Sequence, residues 1–161
     1  MNNIYLIGMP GCGKSTIAKI LSDKLNMNYI DADVYLEEKF NKKITDIFAL
    51  DGEEVFRNME TQVISELSKK NNIIVSTGGG VVTRNKNKIT MKNSGKIVFI
   101  DSEPEFILKN SALGGRPLLK DKEKIFDLYK LRIDLYKDFA DVTAKNNSSI
   151  EDAVRAIINI L

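Results

Sequence analysis

The chain has no histidine and a single cysteine, Cys12, in 161 residues. Without histidine no Ser-His or Cys-His nucleophilic pair can form, so acid–base work falls to Asp, Glu, Lys or Tyr. One cysteine excludes an internal disulfide and fits a reducing, cytoplasmic setting. With histidine missing as well, the usual zinc sites are excluded. No apolar stretch approaches the ~20 residues of a membrane span, and no signal peptide is expected ahead of the first strand. Net charge is also scarce. Twenty-four basic against 22 acidic residues leave +2, too little to argue for nucleic acid or a membrane surface as partner. Arginine is scarcer still, at five of the basic residues: Arg57, Arg84, Arg116, Arg132 and Arg155. Where lysine serves as the generic cation, a retained arginine suggests a need for its planar fork, which grips carboxylates and phosphates. Arg84 and Arg155 read equally well as surface residues.

What is present is led by Gly8-Met9-Pro10-Gly11-Cys12-Gly13-Lys14-Ser15-Thr16, which fills the phosphate-loop pattern G-x-x-x-x-G-K-[ST]. Its setting is right. Ile4 to Ile7 before it read as a buried strand, and Ile17, Ile20, Leu21 and Leu25 after it recur at helical spacing. Glycines let the backbone curl so that N–H groups point inward at a phosphate, and the helix adds its positive N-terminal end. Residues Gly11 to Thr16 are thus expected to cradle a nucleotide. Lys14 would reach the β- and γ-phosphates, and Ser15 would ligate Mg²⁺. Cys12 reads as a small spacer whose thiol, near a helix N-terminus and a lysine, could be reactive.

The length fits one domain, and 43% hydrophobic residues suffice for a substantial core. Apolar runs alternate with helical patterns throughout. Strands are expected at Ile4–Ile7, Asn28–Ile30, Ile73–Ser76, Lys96–Ile100 and Asp141–Thr143. Capping signals are read at Asp51-Gly52-Glu53-Glu54, Ser102-x-x-Glu105 and Ser148-x-x-Glu151. Alternation of this kind implies a parallel sheet covered on both faces, with ligands at the carboxyl ends of the strands. The phosphate loop, Asp31-Ala32-Asp33 and Gly78-Gly79-Gly80 each follow a strand, so all three should meet in one cleft. If strand geometry persists through Asp33, the two acids point to opposite sides and do different jobs, one at a metal shell and one at an acceptor hydroxyl. The glycines would let a backbone N–H approach a ligand. Ser111 to Asp121, with Gly114-Gly115-Arg116-Pro117, lacks apolar periodicity and suits either a surface loop or a closing lid.

The set Gly8–Thr16, Asp31-Ala32-Asp33, Asp46-Ile47-Phe48, Gly52-Glu53-x-x-Phe56-Arg57-x-x-Glu60, Thr77-Gly78-Gly79-Gly80 and Arg116-Pro117-Leu118 resembles the shikimate kinase family. The resemblance runs in order from the first strand to the last helix. It implies a three-layer α/β P-loop kinase fold of the nucleoside monophosphate kinase type. Five parallel strands would be flanked by helices, with a substrate segment at about 33–60 and a mobile lid at about 111–121. It implies transfer of the ATP γ-phosphoryl group to the 3-hydroxyl of shikimate, with Mg²⁺, by a cytoplasmic monomer. Asp33 would be the base at the accepting hydroxyl. Arg57, Gly79 and Arg132 would hold the substrate carboxylate, flanked by Gly78 and Gly80, with Glu60 orienting Arg57. Phe48 and Phe56 would wall the ring. Lys14 and Arg116 would act on the phosphates, Ser15 and Asp31 would serve the metal, and Lys109 would join the nucleotide contacts. Two places depart from the family's habit. Lys109 stands where Arg is frequent, and the loop before the last helix reads Ala144-Lys145-Asn146-Asn147-Ser148 without arginine. A gluconate- or nucleotide-type P-loop kinase is the nearest alternative reading. A GTPase is disfavoured because no Asn-Lys-x-Asp run occurs.

Overall fold

The computed structural model describes residues 2–111 and 119–161, so Arg116 and most of the 111–121 segment lie outside the described residues. The chain runs β1 (Asn3–Ile7), α1 (Lys14–Leu25), β2 (Asn28–Asp31), α2 (Ala32–Phe40), α3 (Ile44–Leu50), α4 (Glu53–Leu67) and β3 (Ile73–Ser76). It continues through a 3₁₀ turn (Val81–Thr83), α5 (Asn85–Ser94), β4 (Gly95–Asp101), α6 (Pro104–Ser111), α7 (Leu119–Phe139), β5 (Val142–Lys145) and α8 (Ile150–Ile160). The five strands pair in parallel in the order β2-β3-β1-β4-β5. Every residue of β1 and β3 is buried, as expected of central strands covered on both faces, which therefore read as continuous apolar runs. Strand β1 has β3 on one side and β4 on the other, so successive connections leave it in opposite directions. The crevice this opens at the strands' carboxyl ends is where ligands sit in such sheets.

Helices flank this sheet on both faces in three layers, as the alternating pattern implied. The last helix shows how its sequence selects its place. The Ser149 hydroxyl accepts from Asp152 N–H at 3.1 Å and starts α8, whose Ala153, Val154 and Ile157 are buried in a helix packed against α1.

Local expectations differ from the structure at several points. The α8 cap is Ser149 rather than Ser148, whose hydroxyl instead donates to the Asp152 carboxylate. Ser102 does not cap α6; its hydroxyl donates to the Asn146 carbonyl and ties β4 to the loop before α8. Asp51 cannot open α4, because it closes α3 with right-handed helical backbone. Gly52, at φ 87°, makes the turn, and the Asp51 carboxylate pairs with Lys42. Strand β2 ends at Asp31, so Asp33 lies in the first turn of α2 rather than on a strand. The two acids consequently line the same cleft instead of opposite sides of a sheet. Helix α3 and the 3₁₀ turn after the glycines have no clear signal in the apolar pattern.

Candidate active site

The phosphate loop joins β1 to α1 through left-handed glycines. Gly11 has φ 78° and Gly13 φ 94°, conformations that side-chain-bearing residues adopt only with strain. Gly13 is the N-cap of α1 and carries no capping side chain, which leaves the first amides of the helix to a ligand. Lys14 is buried. Its ammonium donates to Gly8 O at 2.8 Å and to Met9 O at 2.9 Å, and lies 3.7 Å from Cys12 Sγ. The positive charge is thereby fixed on the floor of the loop. Cys12 is buried beneath the loop and does not present its thiol at the surface.

On the open side of the loop, Ser15 Oγ lies 3.2 Å from Asp31 Oδ2 and 3.1 Å from Ser76 Oγ. The other Asp31 oxygen accepts from Asp33 N–H at 2.9 Å and Val34 N–H at 3.1 Å, capping α2. One carboxylate therefore serves two structures. This oxygen cluster has the hard donors Mg²⁺ prefers. It holds few protein ligands, as suits an ion that keeps several waters and binds substrate phosphates.

Pro10, Gly11, Gly13 to Thr16, Asp31, Asp33 and Ser76 to Gly79 line one cleft of about 500 Å³. Another cavity, of about 570 Å³, opens at the opposite ends of the strands around Asn3, Leu25 and Leu161. Of the ionic groups there, Lys92 is paired with Asp141 and Lys96 donates to Leu161 O at 3.2 Å. Volume does not distinguish the two; the uncapped N-terminus of α1 and the Asp33 carboxylate facing the first cleft do.

Beyond the glycines the cleft meets a buried charge cluster. Arg57 donates to Glu60 Oε1 at 2.9 Å, with Glu53 further off at 3.4 Å, and its guanidinium lies over the Phe56 ring. Both Arg57 and Glu60 are more than nine-tenths buried. Glu60 Oε2 and Arg132 Nε are buried with no hydrogen-bond partner among the described residues. Burying such groups unpaired costs about 1–3 kcal/mol or more, so each calls for a polar partner that the described residues do not supply. Burial raises the Asp33 carboxyl above its ordinary range and the Asp31 charge adds to this, while Lys14 pulls it back. Burial likewise raises Glu60, opposed by Arg57 and Arg132, both within electrostatic reach. Phe48 and Phe56 pack beside this region with ring centroids 4.7 Å apart and planes tilted by 41°, Phe56 buried and Phe48 exposed.

The triple glycine turns out to be a packing device. A Cβ on Gly78 would stand 2.9 Å from Asp33 Oδ1 and 3.1 Å from Glu60 Oε2, and one on Gly79 would stand 2.7 Å from Pro10 Cδ. A Cβ on Gly80 would overlap the Arg57 guanidinium. Each bare Cα lets a different part of the site close in. The sequence signal, three glycines after a strand, is visible, but not which side chains they admit.

Lys109 is exposed on α6 and does not line the second cleft, of about 340 Å³, that continues from Gly11 and Gly13. Phe106, Asn110, Asn146 and Ile150 line it instead, and sequence reasoning missed them. Apolar spacing alone gives such residues no signal. Asn146 Nδ2 donates to Cys12 O at 2.9 Å and braces the phosphate loop. Arg84 and Arg155 are surface residues, paired with Glu54 and Asp152.

A phosphate loop that faces a pocket of buried acids and arginines across one crevice defines a P-loop kinase of small molecules. Comparison with known proteins narrows this class. A family model described as shikimate kinase matches residues 10–161. A shikimate kinase of Clostridium botulinum (strain Eklund 17B / Type B) is 44% identical over 99% of this chain and 97% of its own length. A second, from strain Alaska E43 / Type E3, is 42% identical over the same shares. The solved shikimate kinase of Acinetobacter baumannii in complex with shikimate superposes with a TM-score of 0.91 at 32% identity, covering 99% of this chain and 92% of that one. That of Aquifex aeolicus gives 0.84 at 35% identity over 98% and 94%. The chain belongs to the shikimate kinase family, whose members are ATP-dependent phosphotransferases.

Proposed function

We propose that this chain transfers the γ-phosphoryl group of ATP to the 3-hydroxyl of shikimate in the cleft between the phosphate loop and the Arg57–Glu60 cluster, and that the residues divide the work as follows. The phosphate-loop amides and Lys14 hold the nucleotide's phosphates in place. Ser15 and Asp31 would hold Mg²⁺, which supplies charge neutralisation on the phosphate oxygens. Arg57, Arg132 and the Gly79 N–H take the substrate carboxylate, and Glu60 fixes the direction of Arg57. Anchored there, the ring presents its hydroxyl to Asp33. As the hydroxyl oxygen attacks the γ-phosphorus, Asp33 accepts its proton and the bond to ADP breaks. Little covalent chemistry is asked of the protein; position and charge are what it provides. Arg116, outside the described residues, is assigned to the transferring phosphoryl group on the family resemblance.

The observation that carries this reading is the meeting of two sites at the glycines. Asp33, Glu60, Arg57 and the phosphate loop all abut Gly78 to Gly80. A phosphate donor and a carboxylate-bearing acceptor would thus be held side by side. Measuring ADP release from ATP with and without shikimate, at saturating and depleted Mg²⁺, tests the proposal. Release should depend on both shikimate and Mg²⁺. Equal ATP consumption with and without shikimate would overturn it.

A further inference from the structure

Tyr136 has no place in the division of labour above, yet it sits where three parts of the site meet. Its side chain is fully buried, and its ring stacks on Phe99 of β4 at 5.1 Å between centroids and 17° between planes. Stacking on a central strand leaves the ring little freedom. The hydroxyl donates to the carbonyl of Gly79 at 2.6 Å, a short bond between elements 57 residues apart. Arg132, one turn earlier on α7, lies within electrostatic reach of the same phenol. On its other side Gly79 is pressed against Pro10 of the phosphate loop, where even a methyl group would stand 2.7 Å from Pro10 Cδ. Gly79 is therefore clamped between α7 and the phosphate loop. Its carbonyl is spoken for, while its N–H makes no hydrogen bond among the described residues.

We infer that Tyr136 is a positioning residue for the acceptor substrate, acting through Gly79 to hold a backbone donor in register with the helix that carries Arg132, for a carboxylate. The inference rests on the carboxylate assignment made above and deepens it. A peptide unit flanked by glycines is otherwise free to rotate, because neither neighbour restricts it. Fixing the carbonyl end of Gly79 limits how the residue can turn, and the phenol does so from the helix that also carries Arg132. Any shift of α7 would move both carboxylate contacts together. Burial pushes the Tyr136 hydroxyl up to about 12, so it remains a proton donor throughout the working range. Tyr136 touches neither the substrate nor the reacting atoms in this scheme.

The test is Tyr136→Phe, which keeps the stacked ring and removes only the hydroxyl. KM for shikimate and for MgATP, kcat and the thermal melt would be measured. The same constants would be taken with the analogue in which the shikimate carboxylate is reduced to a primary alcohol. One lost hydrogen bond predicts a rise in shikimate KM of about two- to tenfold, with MgATP KM unchanged. The variant and wild type should handle the alcohol analogue alike, because it makes no use of the aligned donors. Unchanged shikimate KM, or KM values for both substrates that rise together with a lowered melt, would overturn the inference and leave Tyr136 a packing residue. If wild type itself fails to discriminate against the alcohol analogue, the carboxylate assignment falls, and that failure is legible without the variant.

Discussion

The guanidinium of Arg57 lies against the bare Cα of Gly80, so closely that a methyl group there would overlap both terminal nitrogens. Gly80 itself has φ −93°, which any residue can adopt, so its lack of a side chain serves contact rather than backbone freedom. Gly80→Ala should therefore act through Arg57. Displacing a charged hydrogen-bonding group costs about 1.5–3 kcal/mol, which corresponds to roughly 10- to 150-fold in shikimate KM. MgATP KM should stay near wild type. In an Arg57→Lys background the same glycine substitution should cost much less, since the two act on one contact. Full additivity of the two changes in a double-mutant cycle would show that the glycine works elsewhere.

Asp33→Asn should reduce turnover far more than nucleotide binding. The substitution removes the proton acceptor and leaves Lys14 and the phosphate-loop glycines intact. General-base assistance is worth about 10²–10⁴-fold. Steady-state kinetics beside a direct measurement of ADP binding would separate the two effects. Near-normal turnover would mean that positioning suffices and that Asp33 only orients the hydroxyl.

Cys12 should be labelled by a thiol reagent far more slowly in the native protein than in the denatured chain, because it is only 2% exposed. Mg-ATP should slow labelling further by closing the loop over its phosphates. Cys12→Ser should retain activity, since the position calls for a small side chain rather than sulfur. Labelling at the same rate in native and denatured protein would mean that the loop opens freely in solution.

Much of this site could be read in the sequence because its main parts are local. The phosphate loop, the acids after β2 and the glycines after β3 each sit within a few residues of a strand end, and parallel topology brings strand ends together. The parts that escaped depend on contacts between distant segments. Where strand gives way to helix between Asp31 and Asp33 is not legible in the spacing, because the switch is made by the Asp31 side chain, which caps α2 through the Asp33 and Val34 amides. The bracing of the phosphate loop by Asn146 spans 134 residues. No local pattern distinguishes that asparagine from a solvated one. Phe106 and Asn110, which line the second cleft, have no signal in the local pattern, and Lys109, taken from the resemblance, lies exposed beside them on α6.

Arg116 should act in the transition state more than in the ground state if it approaches the phosphates only when both substrates are bound. Arginines that act on transferring phosphoryl groups in GTPases are worth about 10³–10⁵ in rate. Arg116→Ala should lower kcat by at least about a hundredfold while shikimate alone binds almost as in wild type. Calorimetric titration with shikimate, beside turnover, would check this. A loss confined to KM would reassign Arg116 to ground-state binding.

Asp31 offers a test of whether one carboxylate does two jobs. Its Oδ1 caps α2 through the Asp33 and Val34 amides, and its Oδ2 faces Ser15. Asp31→Asn keeps an acceptor for the cap but removes the charge on the Ser15 side. Asp31→Ala removes both. The thermal melt of the Asn variant should stay close to wild type, while the Ala variant should lose about 0.5–2 kcal/mol for the missing cap. Both should need more Mg²⁺ to reach half-maximal rate. The Ala variant should lose further turnover, because Asp33 sits in the turn that Asp31 caps. A magnesium titration of kcat beside the melts reads each job separately. If the Asn variant proved as unstable as the Ala variant, the charge of Asp31 at the N-terminus of α2, rather than its hydrogen bonds, would be what holds that helix in place.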